Sequence, residues 1–169
     1  MFLMRFTVKL PYRMYYRSTN AAMKKVIMGV ILMLIATTSH ATCWKLASHT
    51  YGIETRLLKA IAMVESNLDP TARNTNKNGT TDIGLMQINS MHLPRLKKLG
   101  VSKQLLQNDP CVSLMVGAYI LNEMIGKYGY NWEAVGAYNA GLSSSRSSLR
   151  KKYADKVKKV YFSRKVEFD

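Results

Sequence analysis

The segment KAIAMVESNLDP, from Lys59 to Pro70, lies in the most regular helical pattern of the chain and contains a glutamate, Glu65. The pattern runs from Glu54 to Leu68 and predicts a helix. Its apolar residues recur at the spacing of one buried face: Leu57, Ile61, Val64 and Leu68. The following Asp69-Pro70 pair predicts where the helix ends.

Glu65 falls on the apolar face of this predicted helix, about 20° from Leu58 and about 40° from Ile61 on a helical wheel. No lysine or arginine lies three or four residues away to pair with it. A distant donor, or a solvated position at the rim, would account for the glutamate structurally. Alternatively, poor solvation raises the pKa of the carboxyl and suits it to general acid catalysis.

The flanking sequence predicts a mostly α (α+β) domain with a small β-hairpin insertion. A short helix ending at Gly52 precedes the Glu65 helix. Residues 71–82 are polar, and Asn78-Gly79 predicts a tight turn between two strands. The apolar run IGLMQIN that follows is interpreted as a small strand or a buried loop.

The second half of the chain is predicted to be largely helical. Three segments have helical patterns: LPRLKKLGV, VSLMVGAYILNEMIGKYG and the basic YADKVKKVY. AVGAYNAGL is apolar and ends at a glycine, and SSSRSS is interpreted as a flexible loop. With 169 residues, the chain is long enough for one compact domain.

The composition is strongly basic, with 25 Lys and Arg against 10 Asp and Glu, a net charge of +15. After residue 41 there remain 19 basic and 10 acidic residues, a net charge of +9. Such a chain suits a polyanionic partner, which leaves open nucleic acid, anionic lipid and an acidic cell-wall polymer.

The N-terminus carries a signal-peptide pattern over 23–41: Met23, two lysines, an apolar run and small residues at Ser39 and Ala41. We expect export to the periplasm, with residues 1–22 as an extension of unclear status and 42–169 as the catalytic domain with its basic C-terminal helix. A transmembrane anchor is the alternative, although an apolar run of about 11 residues falls short of the about 20 that span a bilayer.

Two cysteines, Cys43 and Cys111, follow the predicted cleavage point. In an exported protein two thiols normally pair, and we expect a disulfide that contributes about 4 kcal/mol by constraining the unfolded chain. They are a poor metal site because no histidine lies at ligand spacing. We expect no metal and no cofactor.

Other polar residues stand within apolar sequence. Gln87 could orient a substrate or be a solvent-facing amide, and Tyr138 and Asn139 could bind a carboxyl or a sugar amide. A glycosidase ordinarily has a second carboxylate, for which Asp69 and Asp82 are the nearby candidates. Neither is convincing, and a mechanism with one carboxyl stays open.

Four segments together resemble the lytic transglycosylase family with a goose-type lysozyme-like (SLT) catalytic domain. They are ESNLDP, NKNGTTDIGLMQIN, DPCVSLMVGAYIL and WEAVGAYNAG, in this order. The resemblance spans Cys43 to about Tyr161 and is nearest to the small stand-alone, VirB1-like and invasion-associated members of type III secretion, conjugation and pilus systems. LSSSRSSLRKKYADKVKKVY is more serine-rich and basic than the resemblance implies.

The resemblance implies that Glu65 is the catalytic acid and base, and that Ser66 positions it or the substrate. It further implies that Met86 and Gln87 line the cleft, and that Tyr138 and Asn139 contact Glu65 or the N-acetyl sugar. The implied reaction cleaves the bond between N-acetylmuramic acid (MurNAc) and N-acetylglucosamine (GlcNAc) and leaves a 1,6-anhydromuramoyl end. One group acting first as acid and then as base needs no second carboxylate.

The implied partners are peptidoglycan strands and components of an envelope-spanning apparatus, and we expect a monomer that does not bind nucleic acid. A lysozyme-type muramidase that delivers water to the same bond is an alternative. A non-catalytic wall-binding scaffold, which would not need Glu65, is another.

Overall fold

The structure is a computed structural model that describes residues 42–163. The N-terminal extension (1–22), the predicted signal peptide (23–41) and the last six residues lie outside this range. Within 42–163, none of the helices combines the length and the apolar character that crossing a membrane requires.

The fold is mostly helical with one small antiparallel sheet, as predicted. Over the described residues the helices are α1 (42–51), α2 (Thr55–Ser66), α3 (Leu93–Lys97), α4 (Lys103–Asn108), α5 (Pro110–Tyr128), α6 (Trp132–Ala140) and α7 (Ser147–Tyr161). The strands are β1 (Arg73–Thr75), β2 (Thr81–Ile83) and β3 (Ile88–Asn89). Short 3-10 turns cover Ser90–His92 and Ser144–Arg146.

Helix α2 ends two residues earlier than predicted. Asn67 and Leu68 both have left-handed backbones, with φ of 54° and 65°. The Asn67 N–H donates to the Met63 carbonyl at 3.1 Å and the Leu68 N–H to the Ala62 carbonyl at 3.4 Å, which closes the last turn. The chain therefore reverses direction before Asp69-Pro70, and Glu65 lies in the final turn of the helix.

The predicted hairpin forms across Asn78-Gly79. Strands β1 and β2 pair antiparallel, with Arg73 opposite Ile83, and Gly79 has a φ of 80° that glycine adopts at little cost. The IGLMQIN run is neither one strand nor one loop. Its first residue ends β2, residues 84–87 form a turn, and Ile88–Asn89 form the third strand against β2.

Helix α5 contributes many buried side chains to the core and packs against α6 and α4. Asp109 begins it by accepting the N–H groups of Cys111 and Val112, and Pro110 occupies the first turn. The predicted disulfide between Cys43 and Cys111 is formed, with the two Cα atoms 5.8 Å apart, and joins α1 to the start of α5.

Helix α7 is longer than predicted, and SSSRSS is not a flexible loop. It forms the 3-10 turn and the first residues of α7. Helices α6 and α7 approach closely at Gly136, where an added Cβ would lie 2.4 Å from the Arg150 carbonyl oxygen. The Arg150 guanidinium is buried, pairs with Glu133 and donates to the Ser143 carbonyl, so α7 is locked against the end of α6. Helix α4 was not predicted.

Candidate active site

Glu65 lies in a cleft of about 580 Å³, the main cleft, which is lined by residues of α2, the sheet, α5 and α6. Leu58 and Ile61, which share its face of α2 in the helical pattern, are fully buried. Polar side chains that line the main cleft include Glu65, Asn76, Asp82, Gln87, Asn89, Tyr138 and Asn139.

The partner of Glu65 comes from the far end of the chain. The Tyr153 hydroxyl, on α7 and 88 residues away, donates to the Glu65 Oε1 at 2.5 Å. Tyr153 is itself 6% exposed, and burial raises the pKa of its phenol well above the usual value. It therefore remains a neutral donor that holds one oxygen of the Glu65 carboxyl.

The pKa of Glu65 is raised from 4.5 to about 7, chiefly because burial desolvates the carboxylate. The Tyr153 hydrogen bond and the charge of Lys156 act against this rise, and the negative charge of Asp82 adds to it. The position of Glu65 in the last turn of α2 also raises its pKa, because the carbonyl end of a helix disfavours negative charge. Near neutrality this carboxyl both holds and releases a proton.

Asp82 on β2 lines the main cleft with Glu65. Its carboxylate accepts the side-chain amides of Asn76 at 2.9 Å and Asn89 at 2.7 Å. The other candidate for a second carboxylate, Asp69, is exposed, binds Thr71 and has a pKa below its usual value because of that hydrogen bond. The structure thus brings Asp82, and not Asp69, to the side of Glu65.

Ser66 fastens the end of α2 to the turn between β2 and β3. Its hydroxyl donates to the Leu85 carbonyl at 2.7 Å and lies 3.2 Å from the Ala62 carbonyl. This contact holds the turn beside the neighbouring Glu65.

Gln87 is mainly committed to internal hydrogen bonds. Its Nε2 donates to the carbonyls of Gly84 at 2.9 Å and Ala72 at 3.1 Å, and its Oε1 accepts the Asn74 amide at 2.7 Å. The side chain borders the main cleft but is only 9% exposed. Because the amide is already satisfied and its backbone has a φ of 46°, Gln87 shapes the turn, and the interpretation as a solvent-facing strand amide is wrong.

The Met86 side chain does not line the cleft, contrary to the implied role. It is fully buried and packs against Gly117 of α5, where an added Cβ would lie 2.7 Å from its terminal methyl carbon. Its backbone still contacts a residue of the cleft, because the Met86 carbonyl accepts a hydrogen bond from the Tyr138 hydroxyl at 2.7 Å. Ser113 on α5 accepts the Met86 N–H at 3.1 Å.

Tyr138 and Asn139 both border the main cleft. The Tyr138 hydroxyl donates its hydrogen bond to the Met86 carbonyl and not to Glu65. Burial raises the pKa of this phenol well above its usual value. Asn139 adjoins a second groove that also contains Glu65. These two residues therefore flank the Glu65 carboxyl at the end of α6.

Sequence reasoning missed the bond between Tyr153 and Glu65 and the pair of asparagines, Asn76 and Asn89, that hold Asp82. Tyr153 occupies an apolar position of the amphipathic α7 pattern, which indicates burial but no partner. Within residues 42–163, no three or more His, Cys, Asp or Glu side chains cluster closely enough to hold a metal ion.

The family model described as "Transglycosylase SLT domain" matches residues 42–161. The chain belongs to this family. It is an enzyme of the lytic transglycosylase class, and the resemblance drawn from its four motifs is confirmed.

The chain is similar to several bacterial proteins, one of which is named for invasion. It is 53% identical to "Invasion protein IagB" of Salmonella typhimurium over 132 residues, 78% of this chain and 82% of IagB. It is 44% identical to "Protein IpgF" of Shigella flexneri, again over 78% of this chain and 87% of IpgF. A "Peptidoglycan-binding-like protein" of Escherichia coli O157:H7 is 40% identical over 139 residues, 78% of this chain and 83% of that protein.

A solved structure supports the lysozyme-like lytic transglycosylase fold. An inactive mutant of the lytic transglycosylase Slt from Pseudomonas aeruginosa superimposes with a TM-score of 0.58 at 20% identity. The match covers 72% of this chain and 23% of the Slt chain. The SLT chain therefore corresponds to one part of that larger protein.

Proposed function

We propose that the protein cleaves the β-1,4 bond between MurNAc and GlcNAc in peptidoglycan and leaves a 1,6-anhydromuramoyl end. One observation carries this proposal: Glu65, a partly buried carboxyl with a pKa of about 7, lies in an open cleft large enough for sugars. A carboxyl of that pKa serves as both acid and base at neutral pH.

In the first step, protonated Glu65 donates its proton to the glycosidic oxygen. The bond between this oxygen and C1 of the muramoyl sugar breaks, and GlcNAc leaves with a new hydroxyl. Positive charge develops at C1, and the Asp82 carboxylate in the same cleft stabilises it. The side-chain amides of Asn76 and Asn89 hold the Asp82 carboxylate in place.

In the second step, the Glu65 carboxylate accepts the proton of the muramoyl C6 hydroxyl. The C6 oxygen bonds to C1 and closes the anhydro ring, and Glu65 is protonated again without water being consumed. The Tyr153 hydroxyl stabilises the carboxylate between the two steps, because a hydrogen bond to an ionised acceptor is stronger than one to a neutral acceptor.

Hydrolysis of the same bond, as by a lysozyme-type muramidase, is the second candidate. The observation that favours it is Asp82, since a second carboxylate in the cleft could orient water. The two reactions differ in their product: hydrolysis leaves a reducing muramoyl end, and transglycosylation leaves an anhydro end.

We further propose that this activity opens the wall locally for a secretion, conjugation or pilus apparatus. The name of the relative IagB, an invasion protein, supports an association with an invasion system. Export to the periplasm is part of this proposal and is supported by the signal-peptide pattern at 23–41. Action as a monomer is also proposed.

The test is to incubate the purified protein with peptidoglycan and to analyse the soluble products by mass. We expect anhydromuropeptides from the unsubstituted protein, and a loss of about 10²- to 10⁴-fold in their rate of formation for Glu65→Gln. Asp69→Asn, which removes an exposed carboxyl outside the cleft, should retain the rate. Reducing ends alone would favour the muramidase, and wall binding without any cleavage would favour the scaffold.

A further inference from the structure

A second groove of about 440 Å³, the basic groove, adjoins the main cleft at Glu65. Glu65, Asn139, Ala140 and Arg146 line both spaces, so the two are continuous at the Glu65 carboxyl. The basic groove is lined by three cationic side chains, Arg146, Lys152 and Lys156. This is the serine-rich, basic region that departs from the family resemblance.

The position of these cations follows from the contact between Tyr153 and Glu65. Lys152 and Lys156 are four residues apart and therefore lie on one side of α7, next to Tyr153. Both lysines line the basic groove together with Tyr153, whose hydroxyl is bonded to Glu65. Arg146 is held beside it by a contact of 3.3 Å from its Nη1 to the Ala140 carbonyl.

The three cations are exposed, and none has a carboxylate within 4 Å among residues 42–163. Two lysines on another side of the same helix behave differently, since Lys151 and Lys158 both pair with Asp155. Lys156 is close enough to Glu65 for its charge to act on that carboxyl. The basic groove thus presents unneutralised positive charge next to the reacting bond.

We propose that the basic groove is a subsite for the carboxylates of the stem peptide on the muramoyl sugar that Glu65 cleaves. This inference rests on the proposed function. The sugar whose C1 reacts beside Glu65 is the one that carries the lactyl-linked peptide, and stem peptides present free carboxylates. An acidic protein partner is less suitable, because the groove opens onto the reacting carboxyl and glycan in the cleft would share its space.

The experiment compares two substrates: peptide-bearing glycan, and the same glycan from which an amidase has removed the peptides. The denuded glycan retains one carboxylate per muramoyl sugar, on the lactyl group, and so separates the two sources of negative charge. The test variant combines Arg146→Gln, Lys152→Gln and Lys156→Gln. The matched control combines Lys45→Gln, Lys97→Gln and Lys98→Gln, which remove the same charge from exposed positions outside the groove.

We expect the test variant to lower the ratio of kcat/KM for peptide-bearing over denuded glycan by about tenfold, as the loss of several partly exposed charge pairs would. The control should leave this ratio unchanged. Any change in the proton affinity of Glu65 affects both substrates alike and cancels in the ratio.

An unchanged ratio would overturn the subsite, whether kcat/KM stays the same on both substrates or falls equally on both. The first would leave the cations free for protein docking, and the second would assign them to the lactyl carboxylate or to Glu65. Absence of cleavage of either substrate by the unsubstituted protein would instead refute the proposed function. If the triple variant does not fold, a salt titration of the unsubstituted protein decides the question: the ratio must fall as ionic strength rises.

Discussion

The Tyr153 hydroxyl donates to the Glu65 carboxyl at 2.5 Å and joins the last helix to the last turn of the second one. This contact opposes the rise in the pKa of Glu65 that burial produces. It also fixes which side of α7 faces the cleft. One hydrogen bond therefore lowers the pKa of Glu65, the proposed acid, and holds α7, which lines the basic groove, beside Glu65.

Replacement of Tyr153 by Phe should raise the pKa of Glu65 further, because the hydrogen bond that stabilises the carboxylate is lost. We expect the alkaline limb of the kcat/KM profile to move to higher pH and kcat to fall. Tyr51→Phe is the control, since Tyr51 packs against Tyr119 and does not line the cleft. A limb that stays in place would show that the contact does not act on the proton of Glu65.

The unsubstituted protein should lose kcat/KM as the pH rises through about 7, because the first step requires protonated Glu65. The loss should follow the titration of one group. Initial rates on soluble glycan between pH 5 and pH 9 measure this. A limb centred near 4.5, the ordinary value for glutamate, would mean that the carboxyl is not desolvated in solution.

The fold should be more stable when Glu65 is uncharged. The folded-state pKa is raised, so the stability that protonated Glu65 contributes is complete below pH 4.5 and is lost as the pH rises through about 7. Glu65→Gln removes that loss. The change that this substitution causes in the free energy of unfolding should therefore be more favourable at pH 8 than at pH 4, by up to about 3 kcal/mol. Urea unfolding at both pH values tests this, and Asp69→Asn should show no such gain at pH 8.

Removal of the disulfide by Cys43→Ser with Cys111→Ser should lower the free energy of unfolding by about 4 kcal/mol, because the bond closes a long loop. A reductant should reproduce this loss in the unsubstituted protein and have no effect on the double variant. Equal midpoints of urea unfolding for the oxidised protein and the double variant would contradict the prediction.

Gly117→Ala should destabilise the fold by about 1 to 3 kcal/mol, because the new Cβ would lie within 2.8 Å of the Met86 side chain, including its Cβ. Cleavage should fall as well, since the Met86 carbonyl holds Tyr138. Gly126→Ala on the same helix is the matched control. Nothing lies within 4 Å of its added Cβ, so we expect unchanged or slightly higher stability.

Much of the fold could be predicted because it depends on neighbours in sequence. The spacing of Leu57 and Ile61 predicted α2, and Asn78-Gly79 predicted the hairpin. The end of α2 could not be predicted in the same way. Leu68 continues the apolar spacing, yet its backbone is left-handed, because two N–H groups close the helix at Asn67 and Leu68.

The motifs identified the proposed site but not the contacts within it. Gln87 and Met86 stand next to each other in GLMQIN, yet one binds the backbone of its own turn and the other is buried against α5. The pattern of apolar and polar residues does not distinguish a polar side chain that faces substrate from one that satisfies buried backbone groups.

By itself the sequence determined the helical class, the family and the unusual position of Glu65 on an apolar face. Each of these depends on residue type and short spacing. Only the tertiary structure decided that Tyr153 bonds to Glu65, that Asp82 rather than Asp69 shares the cleft, and that three cationic side chains line a groove at the same carboxyl. The physical reason is that desolvation and hydrogen bonding depend on which distant segments meet, and residues 88 positions apart have no local pattern in common.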